Sequence, residues 1–265
     1  MTKKNSILFI IFFILFIWIQ HLSAITVEVV TEEYPPYNYT ENGKIIGAST
    51  EVVKEVLKRA DISYIIKGSP MRKRKKSHGI RSFTWEKAYK IALERSNVLI
   101  YSIAKTETRV NLFKWVDIIV PYDVYLYKLK NRKDINIKAL YQARDYKIGG
   151  VMDSARVQYL KNHNFVSGKN LELVVQEKNN FENLINKKID LLPMDEIGFT
   201  YLVKKNGMKV KSFEKVIFLK ELSEGLYMAF NNKTDDSIIE TCRKAIKSMK
   251  KDGTYQKIIN KYIEK

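Results

Sequence analysis

The sequence predicts an α/β protein of two lobes that face each other across a cleft, and three observations carry that prediction. Strand-like and helix-like segments alternate in the first half of the chain and again in the second, the pattern of sheets covered by helices. Two long extended segments, Asp117 to Lys130 and Val216 to Phe230, suit an outward and a return crossing between lobes. A chain of 265 residues, 45% hydrophobic and 29% charged, is long enough to bury a substantial core and has ordinary globular composition.

The N-terminus reads as an export signal. Lys3 and Lys4 precede an unbroken apolar run from Ile7 to Ile19, and small Ala24 closes the segment. The run is shorter than the ~20 apolar residues of a membrane span. Cleavage after Ala24 is expected; an uncleaved anchor is the alternative, because Leu22 is less favoured three residues before a cut. No cysteine stands at the cut to accept a lipid. Removal of the segment takes the formal charge from +18 to +16. Such a balance can mean nucleic acid, an anionic membrane or mere solubility, and export argues against nucleic acid. The expected location is the periplasm.

The mature chain opens on a β-branched strand, Ile25 to Val30, which runs into Tyr34-Pro35-Pro36-Tyr37. Proline fixes φ, so this loop holds its tyrosines in place at small entropic cost. Asn42-Gly43 marks a turn. Ser49 or Thr50 can cap a helix with the apolar face Val52, Val53, Val56, Leu57 and Ala60. Ser63 to Lys67 is a second strand. The basic run Arg72-Lys73-Arg74-Lys75-Lys76, with Ser77, His78 and Gly79, reads as a loop insertion. Trp85 to Leu93 is helical and Val98 to Ile100 is a third strand, so the first lobe holds a largely parallel sheet.

The second half repeats this order. Tyr146 to Val151 is a strand, Ser154 caps a helix, and Leu171 to Val175 is a strand. Phe181 to Asn186 is a helix, Ile189 to Leu192 a short strand, and Asp195 opens a helix that reaches Val203. The chain ends on two helices, Asp236 to Lys250 and Thr254 to Ile263, separated by Asp252-Gly253. The expected division is residues 1–24 as signal, 25–120 plus 224–265 as one lobe, and 121–223 as the other. Cys242, the only cysteine, falls on the apolar face of the penultimate helix and reads as a core thiol. No HExxH, Cys/His cluster, GxSxG or glycine-rich phosphate loop occurs. No metal, cofactor or catalytic group is therefore expected.

Ligands of such sheets sit beyond the carboxyl ends of strands. Four segments fall there: the Tyr34–Tyr37 loop, the bend from Ser102 to Arg109, the Ser154 helix start, and Asp195. A guanidinium just past a strand end offers a fixed fork of donors that matches a carboxylate. Each residue also has a purely structural alternative. Arg109 can be a surface or lobe-pairing cation, Ser154 and Asp195 are helix caps, Tyr34 and Tyr37 can be core rings, and Trp85 shares helical spacing with Tyr89.

The ordered pieces Tyr34-Pro35-Pro36-Tyr37, Thr106-Glu107-Thr108-Arg109 followed by Phe113, Lys147-Ile148-Gly149-Gly150 with Ser154, Lys188-Ile189-Asp190 with Asp195, and Lys251-Asp252-Gly253-Thr254-Tyr255 resemble bacterial extracellular solute-binding proteins of family 3, the amino-acid-binding type. The resemblance spans roughly Val27 to Tyr262. It implies the hinged type II fold of periplasmic binding proteins, with the ligand held between lobes and delivered to an ABC transporter permease by a monomer. It also implies roles. Arg109 would bind a ligand α-carboxylate, helped by Ser102, the Ala104 backbone and Ser154; Asp195 would take the α-ammonium; Tyr34, Tyr37 and Trp85 would wall the ligand. The chain departs from the family pattern at Ala104, where many members carry Ser or Thr, and at Ala48-Ser49-Thr50, which replaces an aromatic–Asp helix start. Two other classes share such a scaffold. A periplasmic enzyme of the cyclohexadienyl dehydratase type would need a general acid from Asp195, Glu32 or Glu33, and a sensory module would need a separate partner.

Overall fold

A computed structural model describes residues 26–67 and 83–263. The export segment and the basic run from Arg72 to Lys76 lie outside the described residues.

The first sheet has the order β4-β1-β5-β12-β6, formed by Tyr64–Lys67, Val27–Val30, Val98–Ala104, Leu226–Asn231 and Phe113–Val120. The strands β1, β4 and β5 run parallel, whereas β12 is antiparallel to both β5 and β6. Four of the five strands thus share one direction, as expected, and β12 alone runs against them, because it returns from the second lobe instead of following the strand–helix–strand rule. Helices α1 (Ala48–Arg59), α6 (Asp236–Lys251) and α7 (Thr254–Ile263) cover one face, and α2 (Trp85–Glu94) covers the other.

Because both faces are covered, every residue of β5 is buried. Val98 and Ile100 point to the α2 side and Leu99 and Tyr101 to the opposite side. The alternation then breaks. Ser102 adopts φ +58° and the register shifts opposite Tyr227 and Met228, so Ile103 faces the α2 side. This bulge re-aims the strand end that leads to Arg109.

The start of α1 differs from expectation. Gly47, at φ 117°, takes the N-cap, and Ser49 and Thr50 are buried inside the first turn. Thr50 Oγ1 bonds the Ile46 carbonyl at 3.2 Å and Tyr101 Oη at 3.0 Å. A Cβ at Gly47 would stand 2.4 Å from the Tyr37 carbonyl oxygen, so only glycine lets the tyrosine loop lie against this helix start. Between them, β2 (Tyr39–Glu41) and β3 (Lys44–Ile46) form a hairpin. It turns at Asn42-Gly43, where both φ values are positive, as a two-residue hairpin turn needs.

The second sheet joins two pieces. Antiparallel β10-β7-β11 (Leu192–Asp195, Val124–Leu129, Phe213–Phe218) meets parallel β8-β9 (Ile148–Val151, Leu171–Val174) through an Ile148–Leu191 bridge. The strand expected at Ile189 to Leu192 begins at Leu192 instead and carries Pro193 opposite Leu126. A proline inside the strand hides it from a propensity reading. Helix α3 is Ala155–Asn162, α4 is Glu177–Ile185 and α5 is Glu196–Lys205. The α4 helix starts four residues earlier than Phe181. Its first turn, Glu177-Lys178-Asn179-Asn180, is polar and lacks the apolar spacing of a helix face, although Glu177 and Asn180 are buried. Phe181, Phe199, Phe213 and Tyr127 pack as one aromatic cluster beneath this sheet. Cys242 is buried, as its helical face predicts.

Candidate ligand-binding site

Two segments connect the sheets, one between β6 and β7 and one between β11 and β12. They lie side by side, with Leu219 N–H donating to the Val124 carbonyl (2.8 Å) and Val124 N–H to Ser223 Oγ (2.9 Å). The strand ends and helix starts singled out in the sequence converge where the sheets face each other.

Arg109 lies in the turn after β5 and is 1% exposed. Its guanidinium carbon sits 5.2 Å from the Trp85 ring centre and 4.9 Å from that of Tyr89, a cation–π setting. Its Nη2 donates to the Asp153 carbonyl at 3.0 Å, while its buried Nε has no partner. Among the described residues no carboxylate lies within ion-pair distance of it. Burial pulls its pKa below the ordinary arginine value, offset in part by Tyr89, Tyr122 and Glu32. Trp85 is buried too, and its Nε1 also donates to the Asp153 carbonyl, at 2.9 Å. Two donors from the first sheet's side thus meet one carbonyl from the β8–α3 loop, just before the Ser154 cap.

Ser102 Oγ donates to Asn38 Oδ1, and Asn38 Nδ2 donates to the Glu32 carbonyl at 2.7 Å. This chain of bonds ties the β5 bulge to the tyrosine loop. Ser154 caps α3, its Oγ accepting from Val157 N–H at 3.2 Å. Asp195 caps α5, with Oδ1 accepting from Gly198 N–H at 2.8 Å, and is fully buried. The two hydroxyls of the loop reach it across the cleft. Tyr37 Oη donates to Asp195 Oδ1 at 2.6 Å and Tyr34 Oη donates to Oδ2. Burial, joined by the Asp195 charge, pushes the Tyr37 hydroxyl well above its ordinary pKa, and Tyr34 shifts the same way.

The structure brings together Arg109, Trp85, Ser102, Tyr34 and Ser154 around one cavity of about 30 Å³. Asp195 and Tyr37 stand behind Tyr34. Two members of the cluster, Arg156 and Glu177, had no reading as site residues, and Glu32 was read only as a candidate general acid of the enzyme alternative. Glu32 is half-buried, and desolvation pushes its carboxyl up to about 8 against the pull of Arg156. Arg156 is buried, with Nη1 donating to Tyr34 Oη at 2.8 Å, Nη2 donating to Glu177, and its guanidinium carbon 5.5 Å from the Tyr34 ring centre. Burial opposes the charge of Arg156, but Glu177, Tyr122, Tyr34 and Asp195 together hold it well above its ordinary pKa. Burial pushes Glu177 upward while Arg156 pulls the other way. The one local oddity of Arg156, a cation in the first turn of a helix where the dipole favours an anion, does not by itself point to a site. Among the described residues no group of three or more His, Cys, Asp or Glu side chains could hold a metal ion, and no helix is long and apolar enough to cross a membrane.

The model of the bacterial extracellular solute-binding proteins, family 3, matches residues 27–265. A probable histidine-binding protein of Campylobacter jejuni is 26% identical over 250 residues, covering 91% of this chain and 86% of the relative. Among solved structures, an ancestral arginine-binding protein bound to arginine matches with a TM-score of 0.73 at 22% identity, over 91% of this chain and 99% of the other. A histidine kinase sensor domain with similarity to periplasmic binding proteins also gives 0.73, at 16% identity, over 91% and 96%. At those identities the two structures speak for the two-lobe fold alone.

Proposed function

The chain belongs to the bacterial extracellular solute-binding proteins of family 3, and from that membership we propose that it captures a free α-amino acid between its lobes in the periplasm and presents it to an ABC permease. The observation that carries this reading is Arg109: a guanidinium 1% exposed, with an unpartnered Nε and no carboxylate beside it among the described residues. A buried charge without a counter-charge costs several kcal/mol, and a ligand carboxylate is the group that relieves it. The Ser154 helix start adds free N–H groups on the opposite side. Asp195, beside two tyrosine hydroxyls, is the acceptor for the α-ammonium. Tyr34, Tyr37 and Trp85 supply the walls, and the names of the relatives point to amino acids with nitrogen-containing side chains.

A cavity of about 30 Å³ has room for roughly one water molecule, so ligand entry requires the lobes to part. The proposed lobes are residues 25–120 plus 224–265 and residues 121–223, hinged where the two connecting segments run side by side. Charge-assisted hydrogen bonds of about 1.5–3 kcal/mol each, with ring packing, reach about 8 kcal/mol, which is micromolar affinity. The test is ligand-induced thermal stabilisation of residues 25–265. Arg109→Ala is expected to abolish the shift produced by whichever amino acid stabilises the wild type; a full shift in the variant would remove Arg109 from the site.

A second reading, an enzyme on the same scaffold, draws on Glu32, whose carboxyl titrates near 8 and could serve as a general acid at neutral pH. Turnover of prephenate or arogenate by the purified protein would decide for it, and binding without turnover decides against it.

A further inference from the structure

Among the described residues, Arg156 is the one buried cation of the cleft that the proposed mode of binding does not use, and its position is unusual on three counts. It sits in the first turn of α3, where the helix dipole favours an anion. It leaves its own lobe to donate to the hydroxyl of Tyr34. Its guanidinium also lies over the Tyr34 ring, the surface assigned to the ligand's body. Three groups within reach of Arg156 can receive a cationic side chain: the Glu177 carboxylate, which lines the neighbouring pocket, then the Tyr34 ring and hydroxyl, and Glu32, which line this one. Arg156 already holds the first by an ion pair and the second by a hydrogen bond and ring contact. Its charge also pulls on the third more strongly than that of Arg109 does.

We infer that Arg156 is a built-in occupant of the cation subsite, so that this protein selects α-amino acids whose side chains carry no positive charge. The inference rests on the amino-acid reading of the site. Fixed charge supports it. Arg156 is already paired with Glu177, while Arg109 awaits the ligand carboxylate and Asp195 its ammonium, so a zwitterion with a neutral side chain completes the balance. A lysine or arginine side chain would instead bring a second cation against a buried guanidinium whose carboxylate is already engaged. An anionic side chain has Arg156 itself to meet.

The test is a thermal-shift screen of residues 25–265 against the twenty L-amino acids, followed by calorimetric titration of the amino acids that stabilise. Lysine and arginine are expected to bind the wild type at least tenfold more weakly than the best neutral or acidic ligand. R156Q frees Glu177 and the Tyr34 ring, and should bind lysine or arginine at least tenfold more tightly than the wild type does. R156Q/E177Q, which removes the subsite altogether, should show no such gain. Wild-type affinity for lysine or arginine equal to that for the best neutral ligand overturns the inference and leaves the amino-acid reading standing. So does an R156Q variant that is folded by circular dichroism and gains no basic ligand. Should R156Q fail to fold, the wild-type comparison decides alone. If none of the twenty stabilises the wild type, the amino-acid reading itself fails and the inference falls with it.

Discussion

At Glu32 the physical chemistry of a single side chain becomes measurable. Its carboxyl is desolvated and titrates near 8 in the folded protein, against about 4.3 for a free glutamate. Between those two values the unfolded chain has lost the proton and the folded chain retains it, so stability falls as pH rises through that window, with the penalty complete above about 8. Glu32→Gln should remove this slope. Comparing urea denaturation of variant and wild type at pH 5 and pH 8, the wild type is expected to lose on the order of 1–3 kcal/mol more than the variant; parallel profiles would contradict the desolvation. Neighbouring residues differ in how legible they were. Arg109, Asp195, Ser154 and the two tyrosines stood out as candidates because each lies at a strand end or helix start, and their proposed roles toward a zwitterion come from the family resemblance. Arg156 and Glu177 did not stand out, because their meaning lies in pairing across 21 positions of sequence. An arginine in an eight-residue helix reads first as a solvated one. Trp85 shares helical spacing with Tyr89 and reads as readily as a core ring, and its hydrogen bond to the Asp153 carbonyl depends on where the second lobe sits.

Elements translate those side chains into positions. The sequence showed the Asn42-Gly43 turn, the tail helices and the first-lobe helices, since each has an apolar face or a turn signal of its own. It misplaced β10 and the start of α4, where Pro193 and the polar turn Glu177 to Asn180 override local pattern with tertiary pairing. The most consequential error was at the α1 start. Gly47, not Ser49 or Thr50, is the cap, and its missing Cβ lets the Tyr37 carbonyl approach. Gly47→Ala is expected to destabilise the protein by about 2 kcal/mol or more, because backbone rather than a flexible side chain blocks the new methyl and φ is 117°. An unchanged urea midpoint would contradict the close approach. If the tyrosine loop shifts as well, ligand-induced stabilisation should weaken along with folding stability.

Across the whole molecule, polar contacts bridge the two sheets beside an apolar core that runs through both. Arg109 and Trp85 meet the Asp153 carbonyl, Tyr34 and Tyr37 meet Asp195, and Arg156 meets Tyr34. A ligand that replaces the missing counter-charge of Arg109 adds what these contacts lack. The most direct test of that claim is a thermal-shift comparison of the twenty L-amino acids with their α-carboxamides, which keep the ammonium and side chain and lose only the carboxylate charge. At least one free acid is expected to raise the melting temperature by about 5 °C or more at saturating concentration, while its amide does not. An amide that stabilises as well as its acid, or no stabilisation by any acid, would contradict a carboxylate held by Arg109 between the lobes.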